Sequence, residues 1–208
     1  MPLPRRTAGL PAPSARQPLP SSPRLAGWLT APGSLTQRLR RTGRTLEVVR
    51  LTQGSAPLLP GEAGDLGSRG TPPRAHVREV LLVVDGLPLV WARSVACARA
   101  VNGPWRALKG LGSRPLAELL FASAHVGRSA LHARRLAPAS PWQRHLARQC
   151  QQAAPELAAA RGVWARWSVF CKGGQRLRVL EAFLPAVAQR RTRAGAARHL
   201  MPGAPPGR

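Results

Sequence analysis

Two charged side chains, Arg78 and Glu181, fall on predicted strand faces that are otherwise apolar. Because side chains alternate between the two faces of a strand, Arg78 shares its face with Val80, Leu82 and Val84. Glu181 shares its face with Leu177, Val179 and Phe183. A charge among apolar side chains is costly unless it is paired or used by a ligand. The two residues therefore predict a small pocket for an anionic molecule, with Arg78 as a carboxylate receptor and Glu181 as a site carboxylate.

The partners of these two charges stay open at this level. Arg78 is the natural partner of Glu181, but Glu79 follows Arg78 directly, points to the opposite face and is a rival for the guanidinium. Glu181 also has a purely structural interpretation: an edge strand whose face is partly exposed, or an internal ion pair.

The sequence carries no motif for metal, nucleotide or nucleophile chemistry. Its three cysteines, Cys97, Cys150 and Cys171, are too widely spaced for a CxxC metal site and odd in number for a disulfide scaffold. The five histidines form no HExxH or HxH pattern, and GxSxG, P-loop and GxGxxG patterns are missing. We therefore expect no metal and no cofactor, in a reducing, cytoplasmic setting. No apolar run approaches 18 residues, so no membrane span is expected.

Two predicted hairpins supply the strands that would position these residues. The first joins 76–84 to 87–96 through Asp85-Gly86, and the second joins 164–172 to 175–184 through Gly173-Gly174. Such two-residue turns are typical of tight hairpins because glycine tolerates positive φ. The first strand is apolar on both faces, which indicates a central strand covered on both sides.

The remaining segments complete the fold class. A strand is predicted over 44–51 and helices over 34–41 and 115–122, whereas 54–75 predicts a long loop and 131–160 a helical stretch in pieces. The order of elements is helix, strand, hairpin, helix, hairpin. It predicts an α+β fold, in which helices pack on a single antiparallel β-sheet.

Composition sets the domain boundaries. Residues 1–24 are rich in Pro, Ser and Arg and predict a disordered leader, and 188–208 predict a basic, flexible tail. One domain of ordinary size remains between them, over 25–187.

The net charge of +24, from 32 basic and 8 acidic residues, has two interpretations. A nucleic-acid-binding protein is one alternative, because arginine neutralises phosphate without reading sequence. The arginines are scattered rather than clustered, Tyr is absent and Phe numbers three, which favours compositional bias and no specific nucleic-acid partner.

A series of short motifs resembles one known family in order and spacing over about 28–185. They are Trp28-Leu29, Ser34-Leu35-Thr36, REVLLVVDG (78–86), Ala92-Arg93-Ser94, LGSRPLAELLF (111–121), Val163-Trp164 and LEAFLP (180–185). In this order the motifs resemble the bacterial chorismate pyruvate-lyases. Two departures are Leu35, where relatives have Met, and a longer stretch over about 133–160.

The resemblance implies a function and a site. Its members convert chorismate to 4-hydroxybenzoate and pyruvate for ubiquinone synthesis. They use no metal or cofactor and are monomers with a six-stranded sheet and helical flaps over a buried ligand site. The substrate contacts fall on Leu35, Arg78, Leu116 and Glu181, with Arg78 and Glu181 as the catalytic pair. A non-catalytic protein of the same fold that binds 4-hydroxybenzoate is the remaining alternative.

Overall fold

The computed structural model describes residues 18–68, 74–121, 125–160 and 162–190. Within them the helices are α1 (Pro23–Thr30), α2 (Leu35–Arg40), α3 (Glu62–Leu66), α4 (Ala98–Asn102), α5 (Leu116–Phe121), α6 (Pro141–Cys150) and α7 (Pro155–Ala159). The strands are β1 (Leu46–Ala56), β2 (Ala75–Val84), β3 (Leu87–Ala96), β4 (Gly127–Arg128), β5 (His132–Arg135), β6 (Trp164–Lys172) and β7 (Gln175–Phe183). Two short 3-10 helices, Arg106–Leu108 and Pro185–Gln189, follow α4 and β7.

The strands form a single antiparallel sheet in the order β1-β2-β3-β7-β6-β4, and β5 also pairs with β6. The predicted α+β class is confirmed, with seven strands in the described ranges where about six were expected. Both predicted hairpins are present, as β2–β3 and β6–β7. Asp85 and Gly86 have φ of 50° and 75°, the left-handed geometry that a tight two-residue turn requires.

Helices cover both faces of the sheet. The face that carries Arg78, Val80 and Glu181, here called the cavity face, packs against α1 and α2. The opposite face, here called the back face, packs against α6. Nearly every residue of β2 is buried, which confirms that this apolar strand is central and covered on both sides.

A buried ion cluster lies on the back face, on the side away from Arg78. The Arg93 guanidinium donates from Nε to Glu62 Oε1 at 2.8 Å and from Nη1 to Glu79 Oε1 at 2.5 Å. His145 Nε2 lies 2.6 Å from the same Glu79 oxygen. Glu79 therefore points to the opposite face from Arg78, as predicted, and it binds other residues rather than competing for the Arg78 guanidinium.

The prediction of an unbroken loop over 54–75 is wrong in two places. β1 continues to Ala56 because its last residues pair with the start of β2, and this pairing outweighs the weak strand propensity of Gln-Gly-Ser. α3 then forms between Gly61 and Gly67, which have φ of 89° and 71°. Its first residue, Glu62, is fully buried against Arg93.

The stretch over 131–160 is helical only in its second part. α6 and α7 occupy that part, and each begins at a proline, a residue compatible with the first helical turn. The first part forms β5 instead, because His132–Arg135 pair with β6. The sequence His-Ala-Arg-Arg has little strand propensity, so this pairing comes from tertiary structure.

Regular structure begins at Pro23, two residues before the expected domain boundary, and the Ser22 hydroxyl caps α1 by accepting from the Leu25 N–H. Residues 1–17 of the expected leader and 191–208 of the expected tail lie outside the described residues. None of the helices in the described ranges is long and apolar enough to cross a membrane.

Candidate active site

A cavity lies on the cavity face of the sheet, beneath α2 and α5. Its empty space, with the solvent-filled mouth included, is about 630 Å³. The floor comes from β2, β3, β7 and β6, and most of the lining is apolar. The polar residues of the lining are Thr36, Arg78, Ser94, Arg128, Ser168 and Glu181.

All four residues assigned to the site from the sequence line this cavity. Arg78 comes from β2 and Glu181 from β7. Leu35 and Leu116 are the first residues of α2 and α5, the two helices that form the roof. The fold thus collects four positions that are far apart in the chain around one enclosed space.

Arg78 is 2% exposed, yet it makes no ion pair with a carboxylate of the described residues. Its Nη2 donates to the carbonyl oxygens of Gly112 at 2.9 Å and Arg114 at 3.0 Å, in the loop that leads to α5. Its Nε is buried without a hydrogen-bond partner in the part of the chain that the structure describes. Burial, and then the charge of Arg50, lowers the pKa of Arg78 to about 10.

Glu181 pairs with Arg166 rather than with Arg78, so the predicted Arg78–Glu181 partnership is wrong. Arg166 Nε donates to Glu181 Oε2 at 2.6 Å, and its Nη1 donates to the carbonyls of Trp28 and Ala31. The cause is strand register: Arg166 stands directly opposite Glu181 on the neighbouring strand β6. Arg78 lies two strands away from Glu181, across β3. Glu181 therefore forms an internal ion pair, which was the structural alternative, and it still lines the cavity.

Two arginines near the cavity were missed from the sequence. The first is Arg166, which the hairpin register alone could have placed opposite Glu181. The second is Arg128, whose Nε donates to Ser168 Oγ at 2.9 Å and whose guanidinium lies 5.2 Å from the Phe170 ring centroid. Arg128 sits on the two-residue strand β4, and no periodic pattern indicates a strand of that length.

The roof is held by hydrogen bonds at the start of each helix. The Ser34 hydroxyl caps α2 by accepting from the Gln37 N–H at 3.2 Å, which places Leu35 over the cavity. Leu116 follows Pro115, whose fixed φ suits the entry into α5. Arg78 binds the loop before α5, so the floor of the cavity is tied to its roof.

Taken together, the site can bind an anion and exchange a proton. Arg78 and Arg128 present positive charge, and Glu181 is the acid, with one oxygen on Arg166. The apolar residues of the lining suit a carbon ring. In the described ranges, no group of three or more His, Cys, Asp or Glu side chains is arranged to hold a metal ion.

The chain matches the family model described as chorismate lyase over residues 15–193. A probable chorismate pyruvate-lyase of Azoarcus sp. (strain BH72) is 43% identical over 174 residues, covering 83% of this chain and 90% of that protein. A probable chorismate pyruvate-lyase of Thiobacillus denitrificans is 42% identical over 163 residues, covering 78% of this chain and 83% of that protein.

Among solved structures, the effector domain of PhnF from Mycobacterium smegmatis is similar in fold, with a TM-score of 0.50. The match covers 74% of this chain and 90% of that chain at 13% sequence identity, so it supports a similar fold and no similarity of function. The family model, by contrast, spans most of this sequence, and the curated relatives match it over most of their own length. The chain belongs to the chorismate lyase family of enzymes.

Proposed function

We propose that this protein cleaves chorismate to 4-hydroxybenzoate and pyruvate without a cofactor, and that the aromatic product enters ubiquinone synthesis. The observation that carries the proposal is the state of Arg78: a buried guanidinium at the cavity, with an unused Nε and no carboxylate of the described residues bound to it. Chorismate brings carboxylates, and its ring would contact the apolar residues of the lining.

Arg78 is exceptional among the buried arginines. Four arginines in the described ranges are buried, and three of them bind carboxylates. Arg93 binds Glu62 and Glu79, Arg166 binds Glu181, and Arg178 binds Asp65 at 2.6 Å. Since a buried guanidinium is stable only with an anion or dense hydrogen bonding, the fourth one calls for a carboxylate from a ligand.

The reaction needs positioning and two proton steps, one at the ring and one at the released enolpyruvate. The C3–O bond to the enolpyruvyl group breaks, the proton on C4 leaves, and its electron pair forms the C3–C4 double bond that completes the aromatic ring. The released enolpyruvate takes a proton on its methylene carbon and becomes pyruvate. Aromatisation makes the reaction strongly downhill, so correct orientation supplies much of the rate.

Glu181 manages the proton at C4 in this scheme. Arg166 holds Oε2, and no hydrogen bond to Oε1 comes from the described residues, so this oxygen is left to the cavity. A carboxylate fixed in this way can accept a hydrogen bond from the C4 hydroxyl and then the C4 proton. Its orientation is set by Arg166, which is itself anchored on α1 and the residue after it.

Leu116 and Leu35 enclose the substrate. The backbone N–H of Leu116 assists Arg78 at the carboxylate, and Leu35 contributes its backbone and an apolar contact in place of the methionine of relatives. Both residues belong to the roof, so closure over the ring excludes water and strengthens the polar contacts below.

The test mixes purified protein with chorismate in the presence of EDTA. Formation of 4-hydroxybenzoate is followed by absorbance, and pyruvate by a coupled dehydrogenase. Equal amounts of both products are expected. Glu181→Gln should lower kcat by about 10²–10⁴-fold, as for loss of a proton acceptor, with a smaller change in affinity for 4-hydroxybenzoate.

Glu156→Gln is the matched control, because Glu156 is exposed on α7 and its substitution removes the same charge at a position outside the cavity lining. This variant should keep the wild-type rate. Binding of 4-hydroxybenzoate with no release of pyruvate would instead indicate a non-catalytic binding protein, and full activity of Glu181→Gln would refute the assigned role of the acid.

A further inference from the structure

The cavity holds a second guanidinium, that of Arg128, which the proposed reaction has not used so far. Arg128 is half-buried and donates from Nε to Ser168 Oγ at 2.9 Å and from Nη1 to the Gly33 carbonyl at 3.3 Å. Gly33 lies just before the Ser34 cap of α2. Arg128 therefore holds the entry to one roof helix, as Arg78 holds the entry to the other.

Arg128 forms no ion pair with any carboxylate of the described residues. An unpaired arginine on the surface would mean little in a chain with four times more bases than acids. This one lines a cavity, and burial lowers its pKa, with the charge of Glu181 opposing that effect and the charge of Arg166 adding to it. Glu181, the single acid among the described residues of the lining, is already neutralised by Arg166. The described part of the lining thus has two uncompensated positive charges.

The strand register separates these two charges across the floor. Arg78, Ser94, Val179 and Ser168 are successive neighbours on β2, β3, β7 and β6. Three strand spacings place the backbones of Arg78 and Ser168 roughly 14 Å apart. Glu181 lies two residues beyond Val179 on the same face of β7, and β7 lies between the strands that carry Arg78 and Ser168. A ligand that satisfies both ends must carry two separated anionic groups.

We propose that Arg128 binds the enolpyruvyl carboxylate of the substrate while Arg78 binds its ring carboxylate. This inference rests on the proposed function. It makes Arg128 a specificity-determining residue: it contacts a group that chorismate has and 4-hydroxybenzoate lacks. Once the C3–O bond has broken, the Arg128 partner leaves with pyruvate, and the aromatic product keeps only its contact with Arg78.

The experiment compares Arg128→Gln with wild type for two ligands. Loss of a charge-assisted hydrogen-bonded pair should raise the KM for chorismate about 10- to 100-fold. The Kd for 4-hydroxybenzoate, measured by calorimetry, should change less than about threefold. Ser168→Ala, which removes only the hydroxyl that orients Arg128, should raise the KM in the same direction by a smaller factor.

Arg134→Gln is the charge control, since Arg134 lies exposed on β5 with its guanidinium near Trp167 and outside the cavity lining. It should leave both constants unchanged. Equal weakening of both ligands by Arg128→Gln would place Arg128 on the ring carboxylate or in the fold, and an unchanged KM would remove it from recognition; either result overturns the inference.

The inference and the proposed function fail in different ways. Wild-type protein that binds chorismate in calorimetry without forming products would contradict the proposed lyase activity, and the effect of Arg128→Gln on that binding would still decide the role of Arg128. Wild-type turnover with an unchanged KM in Arg128→Gln would contradict the inference alone.

Discussion

Substitution of Arg78 and of Arg93 tests which of these two buried charges binds a ligand and which stabilises the fold. Both are almost fully buried on the central strands β2 and β3, on opposite faces of the same sheet. Arg93 binds two buried carboxylates, whereas Arg78 binds only backbone carbonyls of the described residues. Replacing each by methionine keeps most of the side-chain volume and removes the charge.

For Arg93→Met the expected loss of stability is large. The substitution leaves Glu62 and Glu79, both about 1% exposed or less, without their shared guanidinium. Removing one partner from a buried ion pair costs about 3–5 kcal/mol. A domain of this size has about 5–15 kcal/mol in total, so the variant should be barely folded.

For Arg78→Met two contributions to the free energy of unfolding oppose each other. Removal of the buried charge stabilises the variant, and loss of the hydrogen bonds of Arg78 destabilises it. Burial and the charge of Arg50, which together lower the pKa of Arg78 from 12.5 to about 10, correspond to about 3 kcal/mol of destabilisation, at 1.36 kcal/mol per pKa unit. This cost is constant across neutral pH, because well below pH 10 the guanidinium is protonated in both folded and unfolded chains. The two lost hydrogen bonds, to the carbonyls of Gly112 and Arg114, cost about 1.5–3 kcal/mol each and thus about 3–6 kcal/mol together. The unliganded variant should therefore lose at most about 3 kcal/mol relative to wild type.

Urea unfolding followed by tryptophan fluorescence measures both variants, with and without 4-hydroxybenzoate. At a ligand concentration of 100 times Kd, wild type should gain about 2.7 kcal/mol and Arg78→Met nothing measurable. If Arg78→Met lost as much stability as Arg93→Met, or kept the ligand-induced gain, then Arg78 would be a structural residue and the argument for a carboxylate ligand would be refuted.

Two further predictions concern the back face and the thiols. Burial alone would raise the pKa of Glu79, but the hydrogen bonds and charges of His145 and Arg93 hold this pKa below its usual value. The stability that this carboxylate contributes is therefore present above about pH 4.5 and is lost as the pH falls. Glu79→Gln should thus be about 2–4 kcal/mol less stable than wild type at pH 7, and urea unfolding at falling pH should show the difference shrinking below pH 4.5; a constant difference would contradict this. Burial raises the pKa of Cys150 to about 12 while Cys171 is exposed, so a thiol reagent at pH 8 should label Cys171 at least about 100-fold faster, as read by peptide mass spectrometry. Comparable rates for the two cysteines would show that α6 opens readily.

Sequence patterns predicted the parts of the site that depend on strand periodicity. Period-two alternation placed Arg78 and Glu181 on faces of apolar residues, and the two Gly-containing turns gave both hairpins. The Gly173-Gly174 turn also fixes the register that brings Arg166 opposite Glu181, so this ion pair was within reach of the same reasoning. In a hairpin, the residue directly opposite is a nearer partner for a buried charge than any residue two strands away.

Other parts depend on tertiary pairing that no local pattern records. β5 and β4 are strands only because β6 offers them an edge, and Arg128 reaches the cavity from one of them. The back-face cluster joins Glu62 from a short helix between two glycines, Glu79 and Arg93 from strands, and His145 from α6. Such an assembly is decided by burial, since each charge is tolerated only where the others compensate it.

If Arg128 binds the enolpyruvyl carboxylate as proposed, the charges of the cavity would also favour the substrate over the product. With Glu181 neutralised by Arg166, the cavity presents Arg78 and Arg128 as its net charge, and a dianion would neutralise both. The aromatic product carries one carboxylate and would leave Arg128 desolvated without a counter-ion, which disfavours retention of the product in the closed site. The same guanidinium that would tighten binding of the substrate would therefore weaken the closed product complex. Because Arg128 also binds the Gly33 carbonyl at the entry to α2, loss of its anionic partner would act on the part of the roof that α2 forms.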